Sequence, residues 1–180
     1  MYGLVNKAVK DLVINNFGVE KWDIIKSKVG FEDDDFVSMQ AYPDTLTYDM
    51  VQAASEVLRL NAEEILKAFG EYWILFTAEE GYGETLKNYG TDLITFLKNL
   101  DRLHEQVAIM MPELTPPSFT VHEINANRVK VIYESQREGL SAMVIGLLTG
   151  LGKKFDKICS VEHVGDRSKI GWDEFIVTWE

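Results

Sequence analysis

The apolar periodicity of this chain changes at Pro112. Before it, apolar residues recur about every 3.6 positions; after Pro117 they alternate with a period of about 2. A chain that runs helices first and strands later cannot build the alternating βα units of a parallel sheet. It predicts an α+β fold, with a helix-rich N-terminal half packed on a C-terminal antiparallel sheet with helices. The Pro112–Pro117 stretch joins the halves and lacks the composition of a flexible linker.

Leu4, Val5, Ala8, Val9, Leu12 and Val13 define a first helix, with Gly18 ending it. A second helix is expected over about Glu20 to Lys28, carrying Trp22 and Ile25. Residues 30–46 read as a loop, and the acid run Glu32-Asp33-Asp34-Asp35 within it reads as solvated, with metal binding the lesser alternative. A third helix is expected from Thr47 to Leu60. Asn61 and Glu64 have the spacing of a capping box, opening a fourth helix that carries Ile65, Leu66, Phe69, Trp73 and Phe76 and ends before Gly81. Thr91 opens a long helix to Met111, with the stripe Leu93, Leu97, Leu100, His104, Val107 and Met111; Pro112 stops it. Strands are predicted near 118–124, 128–136, 157–164 and 172–179, and a helix near 140–156.

A length of 180 residues suits one domain, and 46% apolar with 26% charged residues is ordinary globular composition. No run approaches the ~18–20 apolar residues of a membrane helix, and the amphipathic N-terminus is no signal peptide. The net charge is −11 with no basic patch, which argues against nucleic acid. Cys159 is the only cysteine, so no internal disulfide forms, and a cytoplasmic setting is expected. No phosphate loop or zinc spacing is present.

Two features carry chemistry. Tyr133, Ser135 and Arg137 follow the β-branched run Val129-Lys130-Val131-Ile132, and on a strand these three would share one face. A phenol, a hydroxyl and a guanidinium together suit a carboxylate or phosphate; a solvated edge is the plainer alternative. His104 lies on the apolar stripe of a helix. It reads either as a core histidine bonded to a backbone carbonyl or as a metal ligand. His122 and His163 fall on expected strands and read as surface or structural.

These residues occur in a recognisable order. Met1-Tyr2-Gly3-Leu4-Val5-Asn6, Ala68-Phe69-Gly70, Asn99-Leu100-Asp101-x-Leu103-His104 and Pro116-Pro117 are followed by Tyr133-x-Ser135-x-Arg137, Arg137-Glu138-Gly139-Leu140 and Val144-Ile145-Gly146. The set resembles the H-NOX (heme–nitric oxide/oxygen binding) family, most of all the heme domain of soluble guanylate cyclase and stand-alone bacterial members. The resemblance implies one heme-binding domain over 1–180, with a helical lobe of about 1–60 and a lobe of about 61–180 holding the ligating helix and the sheet. It implies heme b (iron protoporphyrin IX) buried between the lobes. His104 would be the proximal iron ligand, and Tyr133, Ser135 and Arg137 would bind the propionates. Pro117 would press on the macrocycle; its plainer role is the rigid entrance to a strand. Trp73, Met143 and Val5 would line the distal side, with core packing as the alternative for Trp73 and Met143.

Family members that hold oxygen resemble one another in a distal tyrosine. Met143 takes that position here and has no donor, so the implied ligands are nitric oxide and carbon monoxide. Trp73 carries an N–H, and Tyr2 and Tyr72 lie nearby in sequence, so an oxygen-binding sensor is the alternative. The resemblance implies a non-enzymatic gas sensor in which nitric oxide breaks the iron–His104 bond. The signal would pass to a separate protein such as a histidine kinase or cyclic-nucleotide enzyme, since 180 residues leave no room for an effector domain. A heme enzyme would need distal acid–base groups or a thiolate ligand. A cofactor-free scaffold is the remaining alternative. The C-terminal zinc cluster of some members cannot form with Cys159 alone.

Overall fold

Gly18 takes φ +88°, a conformation costly for other residues, and there the first helix, α1 (Gly3–Phe17), gives way to α2 (Val19–Val29). The computed structural model describes residues 1–31 and 36–180, with the backbone alone for 77–81. The acid run Glu32–Asp35 lies outside the described residues. The chain divides into two compact units, Met1–Phe69 and Gly70–Glu180.

In the first unit, α1 buries Ala8, Val9, Leu12 and Val13, and α2 buries Trp22 and Ile25. Helix α3 (Asp44–Leu58) begins earlier than expected, directly after Pro43, whose fixed φ suits a helix entrance. Its Thr47 is buried and donates to the Asn6 Oδ1 of α1 at 2.5 Å. The chain start is strapped to residues 37–42. Tyr2 bridges Ala41, the Gly3 N–H donates to Gln40, and a Cβ on Gly3 would stand 2.1 Å from the Val37 carbonyl. Helix α4 (Ala62–Tyr72) opens on the expected capping box. The Glu64 N–H donates to Asn61 Oδ1 at 2.8 Å, and the Asn61 N–H donates back to Glu64 Oε2 at 3.0 Å.

The second unit departs from expectation twice among its helices. The fourth helix does not end before Gly81. It passes through a π-helical turn, Trp73–Thr77, into α5 (Ala78–Leu86) and a 3₁₀ turn, Lys87–Tyr89. Nor is there one helix from Thr91 to Met111. Asp92 caps α6 (Leu93–Lys98), Asn99 interrupts, and α7 (Leu100–Met110) follows. The Asn99 amide donates to the carbonyls of Tyr89 and Thr95, at 2.9 and 3.0 Å, which is how this side chain competes with a continuing helix.

Beyond Pro112 the alternation is realised as β1 (Ser118–Asn125), β2 (Arg128–Glu134), α8 (Ser141–Lys154), β3 (Cys159–Gly165), a short α9 (Arg167–Ile170) and β4 (Asp173–Trp179). The strands form one sheet in the order β1-β2-β4-β3, every pair antiparallel. Val129, Val131, Phe175 and Val177 point to its inner face and are fully buried against Leu148 and Leu151 of α8 and Phe96 and Leu97 of α6. The fold class is α+β. Among the described residues no helix is long and apolar enough to cross a membrane.

Candidate functional site

His104 lies one helical turn beyond Leu100, and its Nδ1 is 2.8 Å from the Leu100 carbonyl. A carbonyl only accepts, so Nδ1 carries the hydrogen and the lone pair sits on Nε2. Among the described residues Nε2 has no hydrogen-bond partner. Burial lowers the pKa of the imidazole, with the Leu100 bond and the Asp101 charge pulling the other way. The ring is therefore neutral at pH 7 and presents a free donor pair. It stacks on Phe119 at 5.6 Å and 20°, and Phe119 in turn meets the Tyr133 ring at 5.2 Å. Phe119 and Tyr133 are cross-strand partners in β1 and β2, so the sheet register sets this run of rings.

Asp101 fixes the first turn of α7 to the sheet. Its carboxylate accepts the Phe119 N–H at 2.5 Å and the Ser118 hydroxyl at 3.0 Å. Both donors lie just after Pro117, which is half-buried.

Tyr133, Ser135 and Arg137 converge, but not on a strand face as expected. β2 ends at Glu134. Ser135 Oγ accepts the Arg137 N–H at 3.1 Å, a serine turn that bends the chain out of the sheet. Tyr133 is 5% exposed, and its phenol lies near the Ser135 side chain. Burial raises the phenol's pKa, with the nearby Ser135 hydroxyl and the Arg137 charge pulling the other way. Arg137 Nη1 donates to the Thr115 carbonyl at 2.8 Å, tying the turn to the Thr115-Pro116-Pro117 segment. The site thus joins α7, the Pro-Pro segment, β1 and the turn after β2 through named bonds.

Trp73 is the first residue of the π-turn and Met143 lies on α8, both half-buried. Glycines let these elements approach closely. A Cβ on Gly70 would stand 2.2 Å from the Met143 carbonyl, and one on Gly150 would stand 3.1 Å from Ile74. Val5 is half-buried on α1, in the first unit. His163 bonds to Asp173 at 2.8 Å, and His122 is exposed on β1. Cys159 packs on Gly152, and burial raises its thiol pKa.

The donor set fits heme. A neutral imidazole with a free Nε2 suits iron, and a guanidinium beside two hydroxyls suits carboxylates. Among the described residues no group of three His, Cys, Asp or Glu side chains could hold a bare metal ion. Sequence reasoning foresaw a backbone-carbonyl partner for His104 but gave Asp101 no role. Asp101 reads from sequence as an acid in the first turn of a helix, and only the tertiary structure gives it a target.

The S. oneidensis H-NOX protein in its Fe(II) state (a triple mutant) superposes with a TM-score of 0.91 at 20% identity, over all of this chain and 96% of that one. The Fe(II) unliganded H-NOX protein of K. algicida superposes with a TM-score of 0.85 at 23% identity, over all of this chain and 97% of that one. At these identities the likeness is one of fold. In sequence, soluble guanylate cyclase gcy-32 of Caenorhabditis elegans is 29% identical over 157 residues, 86% of this chain and 23% of that protein. Soluble guanylate cyclase 89Db of Drosophila melanogaster is 26% identical over 155 residues, again 86% and 23%. The chain spans about a quarter of the length of these relatives. The model of the haem-NO-binding family matches residues 2–163, and the chain belongs to that family.

Proposed function

We propose that this chain is a heme-based gas sensor. It holds heme b through His104, responds to nitric oxide and carbon monoxide, and passes the signal to an effector such as a histidine kinase or cyclic-nucleotide enzyme. The observation that supports this most is the neutral His104, with Nδ1 bonded to Leu100 and Nε2 without a partner. Ferrous heme, when bound, would be held by His104 and would supply the iron that takes up the gas.

The chain's own residues do the rest. His104 offers Nε2, and the Leu100 carbonyl keeps the ring in the right tautomer and orientation. Arg137, Ser135 and Tyr133 take the heme carboxylates, and Pro117 bears on the macrocycle. Met143 has no donor to offer a partly charged oxygen, so the pocket favours nitric oxide and carbon monoxide. Helix α7 is tied to β1 by Asp101, so a change in the hold on His104 would reach the sheet as well as the helix. Membership of the haem-NO-binding family supports the same reading.

The test is spectroscopic. Purified protein, loaded with heme and reduced, should change its absorption on adding nitric oxide or carbon monoxide and show no lasting change in air. Failure to take up heme would end the proposal. A lasting spectral change in air would end the selectivity part of it.

A further inference from the structure

We propose that Arg167, on the short helix α9, is a positioning residue for the carboxylate-binding turn: it holds the backbone that aims Ser135 and Arg137. The inference rests on the heme reading above. Past Glu134 the backbone of β2 leaves the sheet, and a turn held only by its own serine bond would fray. Arg167 Nη1 donates to the Arg137 carbonyl at 2.8 Å, across 30 residues of sequence. Arg137 is thus gripped at three atoms. Ser135 accepts from its N–H, Thr115 accepts from its guanidinium, and Arg167 donates to its carbonyl.

Arg167 is itself fixed by a buried acid. Its N–H lies 3.3 Å from Asp173 Oδ1, and Asp173 is 5% exposed. The same oxygen meets His163 Nε2 at 2.8 Å, and the His163 ring stacks on Phe175 at 4.9 Å. Asp173 stands opposite Tyr133 in the β2–β4 register. A continuous path therefore runs from β3 through β4 and α9 to the turn. Burial dominates the phenol pKa of Tyr133, but the Asp173 and Arg167 charges also reach it, so both lie within electrostatic range of the site.

The experiment compares heme release from the full chain to excess apomyoglobin, with iron protoporphyrin IX and with its dimethyl ester. Arg167→Ala should release ordinary heme about tenfold faster than the unaltered protein, the size expected for one charge-assisted hydrogen bond. With the ester, which has no carboxylates, the two should release alike. Equal release of ordinary heme, or the same acceleration with the ester, would overturn the inference. If Arg167→Ala does not fold, Arg167→Lys carries the test. It should give a smaller gain with ordinary heme and none with the ester, and absence of that difference is contrary. A second readout needs no heme: exchange of the Arg137 N–H should quicken in the variant while amides of β2 hold. Unchanged exchange contradicts the positioning role, whereas failure of the unaltered protein to bind heme contradicts the proposed function.

Discussion

The Nδ1–H of His104 donates to the Leu100 carbonyl at 2.8 Å, one turn back along α7. This bond makes the imidazole a neutral donor through Nε2. The burial of the same ring, which outweighs this bond, has a consequence for stability that does not depend on heme. Burial holds the folded pKa of His104 below the ordinary 6.5. As pH falls, the unfolded chain takes up this proton first. The contribution of neutral His104 is fully present above about pH 6.5 and is lost as pH falls toward the lower folded value. Between pH 7 and 5, heme-free protein should lose more of its urea midpoint than heme-free His104→Gln does. Parallel losses would show that His104 titrates normally.

Arg137→Ala should speed heme loss more than Ser135→Ala. In the proposed site the first would remove a charge-assisted fork to a heme carboxylate, about 2–3 kcal/mol, and the second a neutral hydroxyl, about 1 kcal/mol. Ser135 also closes the turn, so its loss should show as well in faster exchange of the Arg137 N–H. Equal heme release from Arg137→Ala and the unaltered protein would place the carboxylates elsewhere.

Asp101→Ala should destabilise the fold by about 2 kcal/mol, because Ser118 and Phe119 both lose a charged acceptor. Asp101→Asn keeps one acceptor oxygen and should recover part of that loss. Urea midpoints of the two variants give the comparison, and a midpoint unchanged in Asp101→Ala would mean that β1 does not depend on α7.

Gly70→Ala should cost about 1–3 kcal/mol through overpacking. The new Cβ would meet the Met143 carbonyl and the Leu147 N–H, which are backbone atoms of α8 with no side-chain freedom to yield. Unfolding at the same urea concentration as the unaltered protein would mean the helices separate without penalty.

Much of this was legible in the sequence because it rests on local rules. The change of period at Pro112 reports which face of each element is buried, so the α+β class and the strands near 118–124, 157–164 and 172–179 follow from it. The Asn61–Glu64 capping box is a matter of spacing and stands as expected. What was not legible depends on competition between local and distant bonds. Asn99 breaks an apolar stripe that looks continuous because its amide finds the carbonyls of Tyr89 and Thr95. The strand face assigned to Ser135 and Arg137 fails because Ser135 turns the chain first. Tyr133, Ser135 and Arg137 still converge, since a turn brings close side chains together as a pleat does. The part played by Arg167 has no sequence signature, because its partner lies 30 residues away.

The most direct test of the central claim, that His104 is the protein's hold on heme iron, is the absorption spectrum of reduced, heme-loaded protein beside that of His104→Gly. The variant should load heme poorly, and added imidazole should restore both the heme content and the five-coordinate ferrous spectrum of the unaltered protein. Normal heme content and an unchanged ferrous spectrum in His104→Gly without imidazole would contradict it.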